Sequence, residues 1–282
     1  MAMLNDLTKV KFSTMLLMLC ALVFTSCQDD DEFPIPVRET KVYELNSVVD
    51  PNIEGTATFV KLTDNTTSVT IQLTGTPEGG VHPAHIHANT VVEGGGIVIS
   101  LQPVNGTTGR SITIVRATDA GTPVSFEDLL NFDGHINVHL SPENLETIVA
   151  QGDIGQNELT GESTEYALNE ADVPGISGTV LFEERKNGEA LATISLTGTP
   201  EGGIHPAHIH ENSVEEGGGI VFTFNPVNGT TGMSMTNVDA LDDGTPFGYD
   251  DVLTYDGHVN VHLSPENLAT IVAQGNIGAN AH

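Results

Sequence analysis

Short runs in which Val, Ile, Thr and Phe alternate with polar residues recur along the chain, separated by clusters of Gly, Pro, Asn and Asp. They are GTATFVKL (55–62), TSVTIQLTG (67–75), AHIHAN (84–89), GIVISLQPV (96–104), SITIVR (111–116) and HINVHL (135–140). A period of two with turn residues at this spacing predicts an all-β sandwich or barrel. One stretch reads differently. In Ser141-Pro142-Glu143-Asn144-Leu145 the serine can cap a helix, the proline suits its first position and the glutamate favours its positive end. With Gly152 as a stop, a short helix is expected there, and again in SPENLATIVAQG (264–275). A weaker helical turn is expected near Phe126 to Leu130.

Strand side chains point alternately to the two faces of a sheet, so each run sorts its own residues. In 135–140 the apolar set Ile136, Val138 and Leu140 is expected in the core, with His135, Asn137 and His139 on the outer face. In 84–87, Ile86 points inward and His85 and His87 outward. If these strands are neighbours, facing Cβ atoms lie about 4.5–5.5 Å apart, close enough for imidazoles of both to reach one ion. His135 and His139 are about 13 Å apart along a strand, so without a bend they cannot share a mononuclear site.

The whole pattern occurs twice. Residues 43–159 align with 166–282 at one constant offset of 123 (His82 to His205, for example). The shared segments include LTGTPEGG, HPAHIH, EGGG and PVNGTTG. Two tandem domains follow, 43–155 and 166–282, joined by a polar linker, 156–165 (QNELTGESTE), that leaves relative motion as the default expectation. Ahead of them, Lys9 and Lys11 precede an apolar run from Phe12 to Phe24 that ends at Phe24-Thr25-Ser26-Cys27. Residues 1–26 therefore read as an export signal, whose apolar run is too short to span a bilayer. The junction resembles a bacterial lipobox, which makes Cys27 the lipidated residue. Cys20 leaves with the signal, so no disulfide is expected. The acidic, proline-broken tether 27–42 resembles the surface-export signal of Bacteroidetes lipoproteins, implying an outer-membrane, surface-exposed location.

A formal charge of −29 argues against nucleic acid as a partner and is compatible with cations. The expected partners are the membrane, through the lipid, and an extracellular protein or a metal ion. The chemistry-bearing residues are the histidines: ten of eleven fall into two equivalent sets. Neutral imidazoles two apart on one strand, completed by a third from its neighbour, suit Cu(II) or Zn(II). The candidate ligands are His85, His87 and His139 in the first copy and His208, His210 and His262 in the second, holding copper or zinc, one ion per domain. His82, His135, His205 and His258 are expected as additional ligands or as groups that orient them. The competing expectation is a structural or adhesive module whose histidines only brace loops.

On these residues each unit resembles the CHRD domain, whose marks are an A-H-I-H segment and a later V-N-V-H segment. The CHRD pattern is in turn similar to copper/zinc superoxide dismutase, implying an Ig-like or dismutase-like Greek-key β-sandwich. Carried over by position, His85 and His87 match two strand ligands of copper, His139 the later one and His82 a structural histidine. The bridging and zinc-loop histidines, the disulfide and the active-site arginine of the enzyme have no counterpart. The resemblance thus implies a metal-binding module, with a copper-only dismutase as the enzymatic alternative. Elsewhere, EGGG reads as a turn, and Asp119, Asp239, Asp242 and Asp243 lack the regular spacing of calcium ligands.

Overall fold

The computed structural model describes residues 38–281. The expected signal peptide, Cys27 and most of the tether lie outside them. Among the described residues no helix is long and apolar enough to cross a membrane.

The first domain comprises β1 (Thr40–Ser47), β2 (Gly55–Lys61), β3 (Thr67–Leu73), β4 (Val81–Ala88), β5 (Ile97–Asn105), β6 (Arg110–Val115), α1 (Phe126–Leu130), β7 (Asp133–Ser141) and β8 (Asn144–Gly155). The strands close into an antiparallel barrel in the order β1-β2-β3-β6-β5-β4-β7-β8. The β3-to-β4 and β6-to-β7 connections each pass over neighbours, a Greek-key path. The second domain repeats the circuit with β9 (Leu159–Glu170), β10 (Ser177–Arg185), β11 (Ala190–Thr197), β12 (Ile204–Glu211), β13 (Ile220–Asn228), β14 (Met233–Val238), α2 (Tyr249–Thr254), β15 (Asp256–Ser264) and β16 (Asn267–Gly278). The expected all-β tandem architecture is what the structure has.

The alternation assigned the barrel interior correctly. Ala84, Ile86, Ile136 and Val138 join Phe59, Ile71 and Leu45 in one core, and Ala207, Ile209, Val259 and Val261 join Phe182 and Ile194 in the other. Leu140 is a correction. It is 38 % exposed, at the end of β7, where the β7–β8 register shifts on both sides of His139 and the chain turns at Ser141.

The helix expected over 141–152 is also corrected. Ser141 pairs with Asn144 across a two-residue turn, and the chain returns as β8 against β7. Local capping signals lose to tertiary pairing: Thr147-Ile148-Val149 is β-branched, Val149 and Ala150 are buried, and β8 fills the slot between β7 and β1. Gly152 is no helix stop but a point of close strand approach, where an added Cβ would lie 2.0 Å from the Glu44 carbonyl oxygen. The repeat does the same at 264–275. Each domain's one short helix is instead the weaker expectation, α1 or α2. Ser125 and Asp128 form a reciprocal capping box at α1, with Phe126 and Leu129 buried beneath it.

The stretch expected as a linker, 156–165, is mostly strand, since β9 starts at Leu159. The domains are tied across this junction. Glu158 pairs with Lys41 on one side and Lys186 on the other. Arg185, fully buried, donates to Asp153 Oδ2 at 2.7 Å and to the Asn157 carbonyl.

Candidate metal centre

In β4 the inward Ala84 and Ile86 force the intervening His85 and the following His87 outward, facing β7. His87 lies opposite His135 and His85 opposite Asn137, so His139, two residues beyond Asn137, falls on the same face. Outward does not mean exposed here: His87 and His139 are buried and His85 half-buried.

Hydrogen bonds then select the tautomers. A carbonyl oxygen only accepts, so a ring nitrogen facing one must carry the proton, and a neutral ring keeps its lone pair on the other nitrogen. His87 Nδ1 donates to the Gly95 carbonyl at 2.9 Å and His139 Nδ1 to the Leu145 carbonyl at 2.6 Å. Both Nε2 atoms therefore offer lone pairs, and His139 Nε2 lies 3.0 Å from His85 Nδ1. The three rings bring one nitrogen each to within 4.8 Å of one another.

The second barrel repeats the construction. His210 Nδ1 donates to the Gly218 carbonyl at 3.0 Å and His262 Nδ1 to that of Leu268 at 2.7 Å. Here His208 Nδ1, His210 Nε2 and His262 Nε2 are all buried without a hydrogen-bond partner. Three buried, unpartnered ring nitrogens drawn together are costly unless something bonds them, and a cation would satisfy all three once His208 carries its proton on Nε2. The donor set therefore fits a borderline metal such as copper or zinc.

The remaining histidines lie outside the two clusters, although the Nε2 atoms of His82 and His205 are also buried without a partner. His135 uses both nitrogens: Nδ1 donates to the Asn89 carbonyl at 2.8 Å, and Nε2 accepts from Asn137 Nδ2 at 3.3 Å. It stacks on His87 with ring centroids 5.1 Å apart, steadying that ligand without joining it. His258 does the same through Asn212, Asn260 and His210. His82 Nδ1 donates to the His139 carbonyl at 3.2 Å, pinning the bulge, and His205 treats His262 alike. The carbonyls of Gly95 and Leu145 were not legible in the sequence, because any residue supplies one. Asp119 was legible only as a repeated acid. It accepts from Ser100 N and Oγ at 2.9 and 2.7 Å, and its charge opposes the downward shift of the His85 pKa.

Burial, reinforced by neighbouring imidazoles, holds His85 below its usual pKa, and the same causes push His208 down to about 4. Desolvation likewise lowers His135, His139, His258 and His262. The rings therefore stay neutral, the ligating form, in water of ordinary pH. Between pH 6.5 and 4 the unfolded chain binds the His208 proton and the folded chain does not. Metal-free stability is thus complete above pH 6.5 and falls with pH through that window. For His208 alone the loss reaches about 3 kcal/mol. Urea denaturation of chelator-treated protein at pH 7 and pH 4 measures it; equal midpoints would contradict the buried, neutral assignment.

No family model matches the chain. A stretch of 60 residues is 45 % identical to the cell surface superoxide dismutase [Cu-Zn] 4 of Candida albicans, covering 20 % of this chain and 26 % of that protein. The chain thus matches about a quarter of the length of this curated relative, to which part of it is similar.

Proposed function

We propose that the protein is a cell-envelope lipoprotein whose two barrels each hold one copper or zinc ion, through His85, His87 and His139 and through His208, His210 and His262. The observation that carries this is the convergence of one ring nitrogen from each of three histidines, with the other nitrogens of His87 and His139 tied to backbone carbonyls. A loop-bracing role alone accounts for His135, whose nitrogens go to Asn89 and Asn137, and for the Nδ1 of His82, whose Nε2 stays buried without a partner, but it leaves the three converging nitrogens of the second barrel unexplained. The lipid anchor at Cys27 rests on the lipobox-like segment, the surface location on the acidic tether that follows it, and the CHRD relationship on AHIH and INVH. The relative's cell-surface title agrees in kind.

A second reading, superoxide dismutation at a copper ion, is favoured by the relative's name and by the open coordination position that three ligands leave. A net charge of −29 opposes it, because superoxide is an anion. Nor is guidance built into both copies: Arg110 and Arg116 become Met233 and Asp239 in the repeat.

The deciding experiment equilibrates the full chain with limiting Cu(II) and Zn(II), removes free ion and measures retained metal. About two equivalents per chain are expected for sites of this type. Retention of none would return the histidines to a purely structural role, and superoxide turnover by the copper-loaded chain would establish the second reading.

A further inference from the structure

The two barrels differ around their histidines, and the difference sits at the junction. Val91 and Val214 occupy the same place in the repeat, just past β4 and β12. Each N–H is held by a side chain from the last strand of its own barrel: Asp153 Oδ1 at 2.7 Å in the first, Asn276 Oδ1 at 2.8 Å in the second. The acid appears where a cation meets it. Asp153 Oδ2 accepts from Arg185 of the second barrel, whereas Asn276, among the described residues, bonds Val214 and no cation.

Arg185 is itself held by both domains. Its Nη1 donates to Asp153 and to the Asn157 carbonyl, and its Nε donates to Asn237 Oδ1 at 2.8 Å, with Asn237 in turn bonded to Glu189. A fully buried guanidinium cannot leave these partners without stranding a charge. The loop tied down at Val91 carries the two carbonyls that orient the stacked imidazoles, Asn89 for His135 and Gly95 for His87. We propose that Arg185 is a positioning residue by which the second barrel braces the first barrel's histidine site: Arg185 fixes Asp153, Asp153 fixes Val91, and the loop presents Gly95 to His87. The first site then depends on the neighbouring barrel, and the second on its own barrel alone.

The test uses the full chain carrying R185M. Amide hydrogen exchange at Val91 is expected to accelerate about tenfold or more while Val214 stays unchanged. With the second site silenced by H208A, Cu(II) affinity at the first is expected to fall about tenfold, the usual effect of losing an outer orienting contact. The copper measurement rests on the proposed metal site; the amide measurement does not, so a wild-type chain that binds no metal leaves this inference to be judged by exchange. R185M strands Asp153 and can destabilise the fold, so R185M/D153N is the companion variant. It recreates the neutral Asn276 arrangement and is expected to return Val91 to the protection of Val214. Unchanged exchange at Val91 in R185M, equal acceleration at both valines, or failure of the double variant to restore protection would each overturn the proposal.

Discussion

Replacing His85 by alanine is expected to lower retained copper from two equivalents to one while leaving the metal-free fold as stable as before. The two halves of that expectation come from different bonds. His87 and His139 each anchor a backbone carbonyl through Nδ1, so their removal costs structure as well as a ligand. His85 has no such anchor: its one hydrogen-bond contact is His139 Nε2, across the prospective site. Removing it relieves a crowded set of neutral rings and should move metal-free stability by no more than about 0.5 kcal/mol. Losing one ligand of three should weaken binding by more than the roughly 10–100-fold typical of outer contacts. Elemental analysis and urea midpoints on the same preparation separate these effects. Full copper retention by H85A would remove His85 from the ligand set, and a collapsed midpoint would make it structural. His208→Ala should behave alike in the second barrel.

The second large effect is on the fold. Gly152→Ala is expected to cost about 3 kcal/mol or more, at the upper end for overpacking. Its new Cβ would sit 2.0 Å from the Glu44 carbonyl oxygen and 3.3 Å from a Leu45 methyl. Strand β1 is held against receding by its pairing with β2 over Thr40–Leu45 and with β8 at Asn46 and Ser47. Gly96→Ala is the control: nothing lies within 4 Å of its Cβ and its φ is not left-handed, so a change within about 0.5 kcal/mol is expected. Denaturant midpoints of the two variants decide it. Equal stability would mean that the first barrel is not closed at β1–β8.

What was legible in the sequence, and what was not, follows from the range of the forces involved. Alternation is local, so Ile86 against His85 and His87, and Ile136 and Val138 against His135 and Asn137, sorted themselves correctly. The strand rise alone kept His135 from sharing a centre with His139. The end of a strand is not local: Leu140 lies where β8 has inserted Val149 and the chain turns at Ser141, and nothing within 135–140 announces either. The same blindness produced the false helix. Ser141-Pro142-Glu143 is a sound helix start by itself, but the slot between β7 and β1 that claims 144–155 exists only once the barrel closes. Arg185 was invisible for a third reason. Its position in the first copy is Leu62, so comparing the repeats marks it as unlike rather than as a junction residue.

The two strands that carry the three histidines, β4 and β7, are adjacent and fixed from both sides by β5 and β8. Nothing in that arrangement waits for an ion. At the proposed sites folding would come first and loading second, in contrast to a zinc finger, where the metal creates the fold. Stripping by a chelator and recharging would then not pass through an unfolded state, and the ions held at the proposed sites would report those available where the protein resides rather than where it was made.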